Sequence, residues 1–384
     1  MRKFNFWSLN FLTMCSLSMF ILSCNPADTN NTIIDVDVSK DYPVKTLSLE
    51  SFSKIEYVVM DDSNDFLFKG RPQCITDNTI VIDDMTSGDF LLFDRQGHPL
   101  SKISAKGDGP NQFASYSRII YDENNRELFV FDENRVFVYS SDGTFIRAFR
   151  LPENARIIDA HQFDESTLIV FDDSENYESN FLLLSKQNGE ILESIPLPRK
   201  KKPQLYIMEE DGNRLNFFMA KRFNIVHHRE GFLLTDYSLD TVYLYNRNKD
   251  ISPFLVRSPQ IQEMQPVIYL NSLVESSQYQ FLQTVQVENK NNQLPKKCIL
   301  RERKSNKIFT QEIVLDEFRG KLFEITPDCI SKTRNCKVAI FELDLDELQS
   351  ANLDGKLSGR LKEITDRSIE SNNENNIYMF VYIN

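Results

Sequence analysis

The chain has 384 residues, with 44 Lys and Arg against 56 Asp and Glu, a net charge of −12. That balance repels polyphosphates and anionic surfaces and argues against nucleic acid as a partner. The six cysteines and four histidines (His98, His161, His227 and His228) form no Cys-x-x-Cys pair and no zinc-type spacing, so neither a metal nor another cofactor is expected.

The N-terminus carries Arg2 and Lys3, an apolar stretch from Phe11 to Leu22, and no acidic residue before Asp28, which is the order of a secretory signal. Thr13, Ser16 and Ser18 interrupt the stretch, leaving it short of the ~20 clean apolar residues of a membrane span. Its end, Ile21-Leu22-Ser23-Cys24, resembles the lipobox of bacterial lipoproteins. The resemblance implies cleavage between Ser23 and Cys24 and membrane anchoring through several acyl chains on Cys24. Asn25 is not the aspartate that retains such proteins in an inner membrane, which implies an outer membrane, with the leaflet left open. Residues 1–23 are thus read as a lipoprotein signal peptide, 24–43 as the acylated cysteine and a flexible polar tether, and 44–384 as the folded domain. Loss of Arg2 and Lys3 leaves 42 basic against 56 acidic residues in the mature chain, a net of −14.

Beyond the tether the chain is rich in short runs of Phe, Tyr, Val and Ile bounded by turn residues, the pattern of strands. Thr79–Asp83 and Phe90–Phe93 lead to the turn Asp94-Arg95-Gln96-Gly97. The same unit recurs as Leu128–Asp132 and Val136–Tyr139 before Gly143, and as Leu168–Asp172 and Phe181–Leu184 before Gly189, so the three glycines are 46 residues apart. A fourth copy, Phe232–Asp236 and Val242–Tyr245, has Asn246-Arg247-Asn248 where glycine stood. The period then decays: Cys298–Arg301 with Lys307–Phe309 reads as a fifth hairpin, and Lys337–Phe341 as part of a sixth. Repeats of 40 to 50 residues built this way indicate the blades of a β-propeller.

Two further elements, Leu47–Glu50 leading into Ile55–Val59, and Gly107-Asp108-Gly109-Pro110-Asn111-Gln112-Phe113, resemble the bacterial six-bladed β-propeller lipoproteins, a family related to NHL-repeat and TolB-like propellers. The resemblance runs from about Val44 to the last strand, Ile377–Tyr382. It departs from the family's usual Gly-Pro-Gly-Glu-Phe at Asn111 and Gln112 and lacks its terminal Asn-Pro-Val. It implies an all-β fold, a six-bladed β-propeller of four-stranded antiparallel blades. A ring of blades exposes an edge unless a terminal strand closes it, so Ile377–Tyr382 is expected to complete a blade with N-terminal strand material. Leu343–Leu361, with Gly355 and Gly359 weakening it, reads as a short helical insertion near this closure.

Chemistry is sparse. Ser140-Ser141-Asp142-Gly143-Thr144-Phe145 shares Asp and Gly with the Asp-box of sialidases, but its compressed spacing and missing tryptophan make it a hairpin turn. No Gly-x-Ser-x-Gly elbow or paired metal motif occurs. Asp83, Asp132, Asp172 and Asp236 occupy equivalent repeat positions and are expected to tie down blade turns. Cys329 and Cys336 are close enough to clip a loop with a disulfide in an oxidising compartment. The expected function is non-catalytic recognition of a glycan, peptide or protein at the cell envelope by a monomeric propeller, with nutrient sensing or uptake implied at the level of the family resemblance. Tyr206, in a long loop from Lys200 to Asn216, and Arg222, His227 and His228 are the candidate ligand-binding residues. His227 and His228 are strand neighbours and are expected to face opposite ways. The alternatives are a glycan hydrolase or lyase using His161, His227, His228 and Arg222 in the central funnel, and a purely structural scaffold.

Overall fold

In the computed structural model the described residues are 33–384, apart from 64, 175–177, 199, 213, 328, 331–337, 372 and 384. The signal peptide, Ser23, Cys24 and Cys336 lie outside them. The described residues form a six-bladed β-propeller. Blade 1 comprises Gly70–Ile75, Thr79–Asp84, Phe90–Asp94 and Pro99–Ile103; blade 2 comprises Arg118–Asp122, Glu127–Asp132, Arg135–Ser140 and Phe145–Arg150. Blade 3 comprises Ile157–Gln162, Thr167–Asp172, Phe181–Ser185 and Ile191–Ser194, and blade 4 Ile225–His228, Gly231–Leu234, Thr241–Asn246 and Ile251–Ser258. Blade 5 comprises Ile268–Glu275, Tyr279–Gln286, Lys296–Glu302 and Ile308–Val314. The first strands of blades 1 to 5 touch one another in succession, which places them around the axis.

The continuous apolar runs follow from this stacking. A strand's side chains alternate between faces, and in a propeller each face meets a different neighbouring blade. In Glu127–Asp132, Leu128 and Val130 pack with blade 1, while Phe129 and Phe131 pack with blade 3. All four are 1% exposed or less. The equally spaced glycines share a backbone requirement: Gly97, Gly143 and Gly189 have φ of +91°, +87° and +74°, where a Cβ is disfavoured. In the fourth copy this conformation falls on Lys249 (φ +68°) and in the fifth on Asn306 (φ +58°).

Closure is as expected. Ser53–Val59 pairs antiparallel with Ile377–Ile383, which pairs with Val338–Leu343, and a single bridge from Ile330 to Ala339 adds a fourth segment to blade 6. Two further N-terminal strands extend other blades: Ile34–Asp37 runs parallel to Ile251–Ser258, and Val44–Ser48 parallel to Ile308–Val314. The first of these lies inside the 24–43 stretch expected to be tether. The alternation Ile34, Val36, Val38 is why: Val36 is fully buried and Val38 nearly so, so the strand caps blade 4 with apolar side chains facing inward. Between the last two strands of the chain stand two helices, α1 (Leu345–Leu353) and α2 (Gly359–Glu370). The single weak helix expected there is divided into two because Gly355 and Gly359, both at positive φ, make the turn between them. Asp344 caps α1, accepting a hydrogen bond from the Glu347 N–H at 2.9 Å. Among the described residues no helix is long and apolar enough to cross a membrane.

Candidate functional site

The residues singled out by sequence fall in three places. Tyr206 opens a two-stranded hairpin, Tyr206–Asp211 with Arg214–Met219, inserted between blades 3 and 4 where a long loop was expected. Its ring packs on Phe217 with centroids 5.0 Å apart. Arg222 lies at the foot of this hairpin, 4.0 Å from the Met219 sulfur and 6.0 Å from the centre of the Tyr237 ring.

His227 and His228 diverge as strand alternation requires. His227 turns towards blade 3, its Nε2 3.3 Å from Nδ1 of His161. His161 is also 3.4 Å from Asp159, whose other oxygen accepts hydrogen bonds from the Asn224 and Ile225 N–H groups at the entry to blade 4. His228 turns towards blade 5, 3.0 Å from Glu275, which also has Arg303 at 3.6 Å. The four enzyme candidates are therefore not one constellation. His161 is 3% exposed and meets His227 between blades 3 and 4.

The repeat aspartates divide similarly. Asp172 accepts from the Ser174 N–H at 2.9 Å and Asp236 from the Ser238 N–H at 2.9 Å, so both tie down their turns. Asp132 instead accepts from the Ala114 N–H across the preceding connection, and Asp83 accepts from the Tyr116 hydroxyl. Burial raises the Asp83 pKa against the opposing effect of that hydroxyl. In blade 1 the turn itself is held by Asp84, which accepts from the N–H groups of Thr86 and Ser87.

Sequence reasoning passed over one recess. A cavity of about 620 Å³ opens where blade 6 meets blade 1, walled by Val338–Leu343, Leu322–Phe323 and the first strand of blade 1. Its apolar lining includes Phe323 and Phe341, edge to face at 5.2 Å. Its charged lining sets Arg71, Lys221 and Lys321 against Glu324, Glu342 and Asp344, with Arg71 3.9 Å from Glu342. Tyr378 donates from its hydroxyl to the Gly70 carbonyl at 3.0 Å, and burial holds that hydroxyl protonated by pushing its pKa up. Gly70 is required by proximity, since a Cβ there would lie 1.7 Å from the Asp83 carbonyl oxygen. Beside the cavity, burial and the neighbouring Glu324 push the Cys298 thiol up to about 12, so it stays protonated. Cys329 also borders the cavity, and its expected link to Cys336 lies outside the described residues. Among the described residues no group of three or more His, Cys, Asp or Glu is arranged to hold a metal ion. The one sequence signal for this recess was the loss of the 46-residue period in the last two blades.

Among solved structures, an exported protein of Bacteroides fragilis aligns over 92% of this chain and 100% of its own, with a TM-score of 0.59 and 16% identity. A member of the DUF4221 family from Bacteroides vulgatus aligns over 70% of this chain and 90% of its own, at TM-score 0.42 and 13% identity. The extracellular domain of a one-component system from B. thetaiotaomicron aligns over 67% of this chain and 29% of its own, at TM-score 0.35 and 12% identity. The first of these shares the propeller fold with this chain. No curated protein matches the sequence. The family model described as a domain of unknown function, DUF4934, matches residues 31–382, and the chain belongs to that family.

Proposed function

We propose that this protein is a lipid-anchored propeller of the cell envelope that binds, without chemical change, a small ligand in the cavity between blades 6 and 1. The observation that carries this reading is the cavity itself. Its volume falls within the roughly 300–1,000 Å³ of small-molecule sites, and it combines an aromatic wall with a few convergent polar groups. Three cationic and three anionic side chains around Phe323 and Phe341 suit a ligand carrying charges of both signs, as a short peptide does. A glycan is the second ligand class, supported by the aromatic wall and the amides of Gln73 and Asn376.

The anchoring part of the proposal rests on the signal-like residues 1–23 and on Ser23-Cys24. An outer-membrane location, a place among NHL-repeat or TolB-like propellers and a role in nutrient uptake belong to the same proposal and stand on the sequence resemblance. A protein stabilised by a ligand that binds only its native state gains about 2.7 kcal/mol at a hundredfold excess over Kd. Thermal unfolding of the full chain in detergent, screened against di- to tetrapeptides and oligosaccharides, is therefore expected to show a raised midpoint with one class. Phe341→Ala is expected to abolish that rise. A panel that leaves the midpoint unmoved, or a rise that survives Phe341→Ala, would overturn the cavity as the binding site.

A further inference from the structure

The inserted hairpin has two unlike faces. Cross-strand pairs put Ile207 and Phe218 on one face, where they pack against the cluster of Leu205, Tyr237, Ile261 and Tyr269. The other face carries Tyr206 opposite Met219, Met208 opposite Phe217, and Glu210 opposite Leu215. Met208, Leu215, Phe217 and Met219 are each 52–64% exposed, the densest group of exposed large apolar side chains among the described residues. An apolar stripe of this kind marks an interaction surface.

Its ends are charged with opposite sign. At the foot, Arg222 sits against Met219, with Lys221 next to it. At the tip is Glu210, exposed beside Leu215. Glu210 lies four residue steps along the strand from Tyr206, about 13 Å at 3.3 Å per residue. A stripe with a cation at one end, a carboxylate at the other and apolar side chains between them is complementary to itself when turned end for end. That is the condition for an isologous two-fold contact.

We infer that this face pairs with the same face of a second copy of the chain, hairpins antiparallel, with Arg222 of each protomer meeting Glu210 of the other across a core of Met208 and Phe217. The pairing is independent of what the cavity binds. The face presents Tyr206, Met208, Glu210, Leu215, Phe217 and Met219, far fewer than the roughly 20–30 residues a side of a standard interface, so the dimer is weak in dilute solution.

The test uses the full-length chain in its own envelope. Met208 lies near the two-fold axis, so Met208→Cys under a mild oxidant is expected to give a disulfide-linked band at twice the monomer mass, absent from the wild type. Glu210→Arg or Arg222→Glu in that background is expected to reduce the band at least fivefold, and the double reversal Glu210→Arg with Arg222→Glu to restore it. A Met208→Cys variant whose new thiol reacts with maleimide yet gives no dimer band would overturn the inference. So would a band indifferent to the reversals, or cross-linking to other proteins alone. The restoring double variant separates loss of pairing from loss of fold.

Discussion

Blades 2 and 3 follow one another through residues 151–156 alone, whereas blades 3 and 4 are separated by residues 195–224 with a whole hairpin between them, and blade 6 is interrupted by residues 344–376 with two helices. The first three blades are held by closed apolar seams, each filled from two neighbours. The second half of the ring is held by one large shared cluster running from Val36 to Ile383. A seam filled by short-range hairpins leaves no room for additions. A cluster assembled from both ends of the chain accepts them, because loop closure costs little more as an insertion grows. The helices and the two parallel N-terminal strands pack into this cluster, the hairpin enters between blades 3 and 4, and the cavity lies where blade 6 meets blade 1.

The comparison is most sharply broken in the seam between blades 2 and 3. Phe129→Ala, at a fully buried position, is expected to cost about 3–5 kcal/mol, read as a drop in the urea midpoint. Lys186→Met should cost about 3 kcal/mol or more, because Lys186 donates at 2.6 Å to Asp122, which is 1% exposed, and its removal leaves that carboxylate buried without its counter-ion. Gly97→Ala would set a Cβ 2.1 Å from the Val59 carbonyl oxygen at φ +91°, while Gly212→Ala at the hairpin tip, φ +60°, meets nothing within 4 Å. The first is expected to cost about 2 kcal/mol or more and the second about 1 kcal/mol, measured by the same unfolding curves. Phe217→Ser on the exposed hairpin face should change stability by no more than about 0.5 kcal/mol.

Acid should probe the same seam. Burial raises the Asp122 pKa, but the Lys186 ammonium and Asn125 outweigh it and leave the folded value below the ordinary one. The unfolded carboxyl titrates at about 3.9, so this contribution is present above about pH 4 and is lost as pH falls through the folded value. Asp122→Asn should therefore be less stable than the wild type at neutral pH and should narrow that gap below pH 4. A constant gap down to pH 2 would show that the pair does not titrate with folding.

The strands of blades 1 to 3 and their turns were legible in the sequence because hairpins are local: Leu128–Asp132 pairs with residues only a turn away, and Gly97, Gly143 and Gly189 mark backbone positions where φ is positive. Closure by Ile377–Ile383 was legible from the need to cover an edge. Ile268–Glu275 and Tyr279–Gln286 were not, because buried Asn271, Ser272, Gln280 and Gln283 break their apolar pattern. The divergence of His227 from His228 followed from strand alternation alone, but their partners His161 and Glu275 come from neighbouring blades. The amino-acid order by itself determined the blade unit, its turns and the charge balance, all of which depend on residues close in the chain. Only the tertiary structure decided the cavity, the parallel strands Ile34–Asp37 and Val44–Ser48 and the two-faced setting of the hairpin, because each arises where segments far apart in the chain are brought together.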